Sequence, residues 1–123
     1  MFKNFIFVAF LFATSSASAQ IEIKSEDIVK YVGQKVSVTA TVAGIYKKNE
    51  KLRTLNMVQD FPNQTFQAII FKDNLEKFVD LDKYEGKEVT LLGEVSLFPK
   101  IAQVGKKQNV QIILNTPEQI ELK

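Results

Sequence analysis

A short sequence motif that occurs twice constrains the fold of this chain more than any other feature of the sequence. The two copies are Tyr31-Val-Gly33 and Tyr84-Glu-Gly86, 53 residues apart, each followed by alternating apolar residues that continue to Val42 and Val95. Glycine accepts backbone angles that other residues avoid, so a glycine before an alternating pattern indicates a tight turn leading into a half-buried strand. Two such turns in one short chain predict a Greek-key barrel.

The first 19 residues have the composition of a cleaved secretory signal peptide. A basic residue near the start is followed by an apolar run from Phe5 to Ala13, and Ala17-x-Ala19 places small residues before Gln20. The run is shorter than the roughly 20 residues that span a membrane, so cleavage is favoured over retention as an anchor. We expect an exported protein, periplasmic or secreted, with no membrane span in the mature chain.

The remaining segment, 20–123, has the length of one domain. It contains 123 − 19 = 104 residues, enough for one hydrophobic core and too few for two. The chain has no cysteine, so disulfides play no part. Only one charged residue, Lys3, falls in the first 19, which leaves a net charge of 15 − 14 = +1 on the segment. This balance gives no global indication of a polyanionic partner.

Hydrophobic periodicity predicts five strands and one short helix. The strands are 34–46, 54–58, 65–71, 87–98 and 109–114, with the helix at 74–79 and a further short extended stretch at 118–122. Asp73 is the expected helix cap, and Leu75, Phe78 and Val79 form an apolar stripe that would close one end of the barrel. The fold class is therefore all-β: a five-stranded Greek-key OB-fold barrel with one short helix between strands 3 and 4.

Further motifs point to a family. They are Thr54-Leu-Asn56-Met, Phe61-Pro62-Asn63-Gln-Thr65-Phe66, Ile69-Ile70-Phe71 and Gly93-Glu-Val95, in addition to the two tyrosine-glycine turns. With these motifs, residues 31–122 resemble OB-fold nucleic-acid-binding domains of the tRNA-anticodon type, in particular small exported bacterial versions. The resemblance implies a binding module.

Two loops collect the positive charge of the segment. The loop after the first predicted strand has Lys47, Lys48, Lys51 and Arg53 against Glu50, and the loop before the last strand has Lys100, Lys106 and Lys107, so that each carries +3. Everything else in the segment then sums to −5. In an OB-fold these loops flank the ligand face, so we expect them to be neighbours and to hold a polyanion. The alternative explanation for these lysines is that they keep exposed loop tips soluble.

The outward face of the second and third predicted strands completes the candidate site. If Phe66, Ala68 and Ile70 point inward, the period of two turns Gln67, Ile69 and Phe71 outward. They then lie next to Thr54, Asn56 and Val58 of the second strand. Asn56 and Gln67 would bond base or sugar edges, Ile69 would form an apolar floor, and Tyr46 would stack on a base. The predicted nucleic-acid-binding residues are Tyr46, Lys47, Lys48, Lys51, Arg53, Asn56, Gln67, Ile69, Lys100, Lys106 and Lys107.

The composition argues against catalysis. The absence of histidine and cysteine removes the usual zinc ligands, cysteine nucleophiles and Ser-His-Asp triads, and no phosphate loop is present. We expect no enzyme activity, no catalytic residues, no metal site and no cofactor.

Two functions remain open. The first is an exported module that binds single-stranded DNA or RNA, or another polyanion, without sequence preference. The alternative is an envelope OB-fold protein that binds a glycan, a small ligand or a protein partner and has no nucleic-acid role. A basic concave face on the second and third strands would favour the first, and an acidic or flat apolar face the second.

Overall fold

Seven strands form the sheet in the computed structural model, which describes residues 20–123. They are β1 (Ile21–Lys24), β2 (Lys35–Tyr46), β3 (Leu52–Met57), β4 (Phe66–Phe71), β5 (Glu88–Phe98), β6 (Asn109–Ile113) and β7 (Ile120–Leu122). One helical turn, α1 (Lys72–Leu75), follows β4, and 3₁₀ segments cover Ser25–Tyr31, Leu81–Tyr84 and Pro117–Gln119. The predicted signal peptide, 1–19, lies outside the described residues.

Five of the strands close into a ring. β2 pairs with β3, β3 with β4, β5 with β6 and β2 with β5, all antiparallel, while β4 and β6 are parallel. This pairing confirms the predicted barrel and the five strands that build it. The predicted total of five is wrong, because β1 adds in parallel to β2 and β7 adds to β5. The 118–122 stretch was expected to be extended, whereas the apolar alternation of β1 is too short to indicate a strand.

The repeated Tyr-x-Gly motif contributes hydrogen bonds that close the barrel. Gly33 has φ 91° and Gly86 has φ 79°, so both turns use a backbone conformation that favours glycine. The Gly33 N–H donates to the carbonyl of Val95, and the Gly86 N–H donates to the carbonyl of Val42, each at 2.7 Å. Each copy therefore bonds to the strand that follows the other copy, and the two turns join β2 and β5 reciprocally.

β2 takes part in both halves of the barrel. Its first part pairs with β5, and from Val42 onward it pairs with β3, with a register shift between Val42 and Gly44. Such a bulge bends a strand and increases its twist. The bulge lies where β2 changes its partner from β5 to β3.

The core confirms the predicted alternation. Its fully buried members come from β2 to β6, from the residue after β6 and from the first 3₁₀ segment: Val36, Val38, Val42, Leu55, Met57, Phe66, Ala68, Ile70, Val89, Leu91, Val95, Ile112, Leu114 and Ile28. Tyr84 is buried in the same cluster, and Tyr31 packs against it. Segment 20–123 thus carries its own hydrophobic core, which is the main source of stability for a domain of this size.

The helix is shorter and earlier than predicted. α1 ends at Leu75, its N-cap is Phe71 without a side-chain cap, and Asp73 lies inside the first turn. Phe78 is buried, but Val79 is 78% exposed. After α1 the chain forms three-residue turns, with the Phe78 N–H donating to the Leu75 carbonyl at 3.0 Å, and these do not maintain a helical stripe. No helix within 20–123 is long and apolar enough to cross a membrane.

Candidate functional site

A groove of about 500 Å³ lies on the outer face of β2, β3 and β4. The register places Gly44, Asn56 and Gln67 in one row across the three strands, and Tyr46 beside Thr54 in the next row. The turn after β3 contributes Asp60 and Phe61, and Ile45 and Glu85 complete the lining. Because side chains alternate along strands, this face is separate from the core on the other side of the sheet.

Amide groups form the floor of the groove. Asn56 is only 4% exposed; its Nδ2 donates to Asp60 Oδ1 at 3.1 Å, and its Oδ1 accepts from Gln67 Nε2 at 3.3 Å. Gln67 also pairs in register with Gln111 on β6, so the polar row continues beyond the groove. Within residues 20–123, these bonds leave Asp60 Oδ2 and Gln67 Oε1 as acceptors for a ligand.

The turn that carries Asp60 is held tightly. Val58 has φ 74°, a costly conformation for a β-branched residue, and its N–H donates to the Thr41 carbonyl at 2.8 Å. Asp60 Oδ1 also accepts from the Phe61 N–H at 2.8 Å. Strain of this kind persists where the surrounding structure over-determines it, and here it directs a carboxylate into the groove.

Two aromatic side chains open onto the groove. Tyr46, at the end of β2, is 50% exposed, and Phe61, in the turn after β3, is 71% exposed. Tyr46 was predicted to belong to the site, whereas Phe61 was not. The sequence does indicate Phe61, because it is an aromatic residue inside the polar turn Asp60-Phe-Pro-Asn, where a buried core residue is not expected. The carboxylates of Asp60 and Glu85 were missed as well.

Only part of the predicted site comes together. Tyr46, Asn56 and Gln67 line the groove. Ile69 is 5% exposed and does not line the groove, so it provides little floor to a ligand.

The cationic side chains next to the groove have local partners. The Arg53 guanidinium donates to the carbonyls of Asn49 and Leu52 at 3.2 and 3.3 Å, which fixes the loop between β2 and β3. Lys47 forms an ion pair with Asp82 of a 3₁₀ segment.

The two basic loops are not neighbours. The loop 47–51 meets the end of β4, where the Lys72 N–H donates to the Lys51 carbonyl at 2.9 Å. The loop 99–108 leads into β6, and its Lys107 lines a small cavity with Thr65, at the start of β4. The expectation of adjacent loops is wrong because β6 runs parallel to β4, which places the loop before β6 at the opposite end of β4.

The charge of the groove also differs from a polyanion site. Among residues 20–123, the lining of this groove includes Asp60 and Glu85 but no lysine or arginine. The exposed lysines Lys48, Lys51, Lys100, Lys106 and Lys107 do not line it. No group of acidic side chains suited to a metal ion occurs in the described part of the chain.

A second concave surface lies on the outer face of β5 and β6. It has a volume of about 1130 Å³ and includes Phe71, Phe98, Lys100 and Ile113. Phe71 is 41% exposed there, so it is not covered by α1 or by the C-terminal segment. This surface is broad, and the hydrogen bonds of Gln119 in its lining go to backbone groups of Leu92, Ile113, Asn115 and Thr116.

The architecture is that of an OB-fold domain, and solved structures share it. An aspartyl-tRNA synthetase from Entamoeba histolytica matches with a TM-score of 0.56 and 16% identity, over 84% of this chain and 21% of that one. An OBody bound to hen egg-white lysozyme matches with a TM-score of 0.57 and 16% identity, over 85% and 95%. A second OBody bound to the same protein gives 0.54 and 17%, over 88% and 98%.

These comparisons define the class of fold. The chain spans about a fifth of the length of the synthetases that it matches, in the region of their anticodon-binding OB-fold domains. At such low identity the likeness shows the fold alone, and OB-folds accept many ligands. No family model matches the sequence, and no curated protein matches it.

Proposed function

We propose that the protein is a binding module that takes single-stranded nucleic acid into the groove between Tyr46 and Phe61. The observation that carries the proposal is the pair of exposed aromatic side chains above a floor of amide groups. Bases stack on such rings with about 1 to 3 kcal/mol each, while amides and carboxylates bond to base edges. Recognition of bases through the floor requires unpaired strands, since duplex pairing hides those edges.

Phosphates would lie beyond the groove. Asp60 and Glu85 repel them from the floor, whereas Lys48 and Lys51 at one end and the lysines of loop 99–108 at the other attract them. The six residues of β4 separate these ends by about 17 Å. Lys47 contributes less, because Asp82 offsets its charge. The matched aspartyl-tRNA synthetase is named for an RNA substrate, which is consistent with this class of ligand.

The proposal includes export and a role without catalysis. Residues 1–19 would direct the protein to the periplasm or the exterior, where the mature segment 20–123 would act. The module would need no metal and no cofactor, because stacking and hydrogen bonding account for binding.

A glycan is the second candidate ligand. The two carboxylates favour it, because an acidic groove is the outcome expected of a protein without a nucleic-acid role, and the nucleic-acid proposal rests instead on the two exposed rings. Asp60 and Glu85 beside exposed aromatic rings suit a neutral polyhydroxylated molecule, which donates hydrogen bonds to carboxylates and stacks apolar ring faces on aromatics. OB-folds serve oligosaccharides as well as oligonucleotides. A protein partner would also fit an OB-fold, since the matched OBodies are bound to lysozyme.

Fluorescence anisotropy tests the proposal. Segment 20–123 is titrated against labelled single-stranded DNA, single-stranded RNA and a neutral oligosaccharide, each at low and physiological salt. We expect nucleic-acid binding that weakens with salt and falls about tenfold in Tyr46→Ala and in Phe61→Ala. Phe98→Ala is the matched control, since Phe98 is 62% exposed and does not line the groove. Binding to the oligosaccharide alone, without dependence on salt, would show that the ligand is a glycan and not a nucleic acid.

A further inference from the structure

The loop 99–108 presents apolar side chains to solvent at its tip. Ile101 is 78% exposed and Val104 is 105% exposed, and Phe98 at the base of the loop is 62% exposed. Turn tips normally carry polar residues, glycine or proline, because those residues satisfy the backbone and remain hydrated. A solvent-facing apolar tip costs free energy in the isolated domain and indicates a partner surface.

The tip is held in this position by its own hydrogen bonds. Gln108 Nε2 donates to the Pro99 carbonyl at 3.0 Å and to the Lys100 carbonyl at 3.4 Å, which ties the base of the loop. Gln103 and Lys106 form an antiparallel bridge, with the Lys106 N–H donating to the Gln103 carbonyl at 3.1 Å. Val104 and Gly105 form the turn between them, and Gly105 has φ 79°. The loop is therefore a small hairpin that projects Val104.

Cations surround this apolar tip. Lys100, Lys106 and Lys107 are exposed, and no ion pair among the described residues includes them. The sequence has no aspartate or glutamate between Glu94 and Glu118. The segment as a whole carries only +1, so the charge is a local property of the loop.

We propose that the loop 99–108 docks on the surface of an anionic phospholipid bilayer. Val104 and Ile101 enter the boundary between headgroups and acyl chains, and the lysines contact the anionic headgroups, as in other peripheral membrane-binding elements. A nucleic acid would use the lysines but leave the aliphatic tip in water. The combination of an aliphatic tip and an acid-free basic rim is complementary to a lipid surface, and it lies outside the groove between Tyr46 and Phe61.

Vesicle co-sedimentation tests the docking. Segment 20–123 is used because it contains the whole described barrel and its core and omits the apolar run of residues 5–13. Vesicles of phosphatidylcholine are compared with vesicles of equal parts phosphatidylcholine and phosphatidylglycerol. We expect binding to the anionic vesicles only, weakened by salt, with partitioning about tenfold lower in Ile101→Ser/Val104→Ser.

The lysines have a matched control in the other basic loop. Each lysine near an anionic surface is worth about fivefold in partitioning, so Lys106→Ala/Lys107→Ala should weaken it about 25-fold. Lys48→Ala/Lys51→Ala removes the same charge from loop 47–51 and should leave it unchanged. Equal losses in the two variants would show unspecific attraction of positive charge to the vesicles. Equal binding to both kinds of vesicle would show no preference for anionic lipid. Either result would overturn the proposal.

A spectroscopic probe reports insertion directly. The chain has no tryptophan, so Val104→Trp introduces a single one at the tip. Its emission should shift to the blue on anionic vesicles if the tip enters the interface, and an unshifted spectrum would contradict insertion. Thermal unfolding of each variant, followed by circular dichroism, confirms that the barrel is intact.

The same variants separate this proposal from the nucleic-acid proposal. Ile101→Ser/Val104→Ser should bind single-stranded DNA as the parent does, whereas a loss would assign the loop to nucleic acid and overturn lipid docking. Tyr46→Ala should bind vesicles as the parent does. Unchanged DNA binding in Tyr46→Ala would refute the groove as a nucleic-acid site and leave the lipid result standing.

Discussion

Gly44 lies directly behind the carboxylate of Asp60, in the space that a side chain at position 44 would occupy. A Cβ built at Gly44 would lie 2.5 Å from Asp60 Oδ1. That oxygen accepts hydrogen bonds from Asn56 Nδ2 and from the Phe61 N–H, so it cannot move away without losing them. Glycine at position 44 therefore determines where the carboxylate of the groove sits.

Gly44→Ala should displace Asp60 and impair the groove while the barrel stays folded. Loss of two hydrogen bonds predicts a decrease of about 1 to 3 kcal/mol in the free energy of unfolding, measured by urea denaturation. Ligand affinity should fall about tenfold. If the clash with Asp60 is the cause, Gly44→Ala should cost much less in an Asp60→Ala background, and additive effects in that double-mutant cycle would contradict the explanation.

Gln119 should be a major stabilising side chain. Its Nε2 donates to the carbonyls of Leu92 and Ile113 at 2.9 and 3.1 Å, and its Oε1 accepts from the N–H groups of Asn115 and Thr116 at 2.7 and 3.2 Å. Gln119→Leu leaves four backbone groups without these partners, so we expect a loss of about 2 to 4 kcal/mol in urea denaturation. Gln34→Leu is the control, because Gln34 is exposed and bonds through its backbone. A similar loss in both variants would argue against the network.

The two turn glycines should be equivalent in energy. Gly33 and Gly86 both have positive φ, and a Cβ at either position would meet no atom within 4 Å. Alanine therefore introduces backbone strain without a steric clash, at about 1 to 2 kcal/mol for each site. Thermal or urea unfolding of Gly33→Ala and Gly86→Ala measures this. A neutral result at one site alone would mean that the reciprocal bonding of the two turns does not make them energetically alike.

The salt dependence of nucleic-acid binding should reveal the phosphate contacts made by the lysines outside the groove. Lys48→Ala/Lys51→Ala removes two phosphate contacts and should reduce the slope of log affinity against log salt by about 1.4, similarly for all sequences. Tyr46→Ala should lower affinity and leave the slope nearly unchanged, because stacking releases no counterions. The control is Lys77→Ala/Lys87→Ala, which removes the same charge from residues outside the two basic loops. An equal change in slope for the control would refute the assignment of Lys48 and Lys51.

Local sequence patterns determined much of this protein. Apolar alternation located β2, β4, β5 and β6 to within about one residue of their observed starts, because the period of a strand is a property of consecutive residues. The repeated Tyr-x-Gly motif located both turns in which a glycine has positive φ. The period of two also placed Asn56 and Gln67 on one outward face, with Tyr46 beside the first basic loop, and all three line the groove.

Tertiary structure decided what these local patterns cannot contain. The parallel pairing of β4 with β6 joins strands about 40 residues apart, and it sends the two basic loops to opposite ends of β4. The strained turn at Val58 brings Asp60 and Phe61 over the face that carries Tyr46, which gives the groove its carboxylate and its second ring. The sequence alone thus determined which strands form and which faces are buried, through short-range periodicity. Only the closed barrel decided which side chains share a site, because that depends on the partner and direction of each strand.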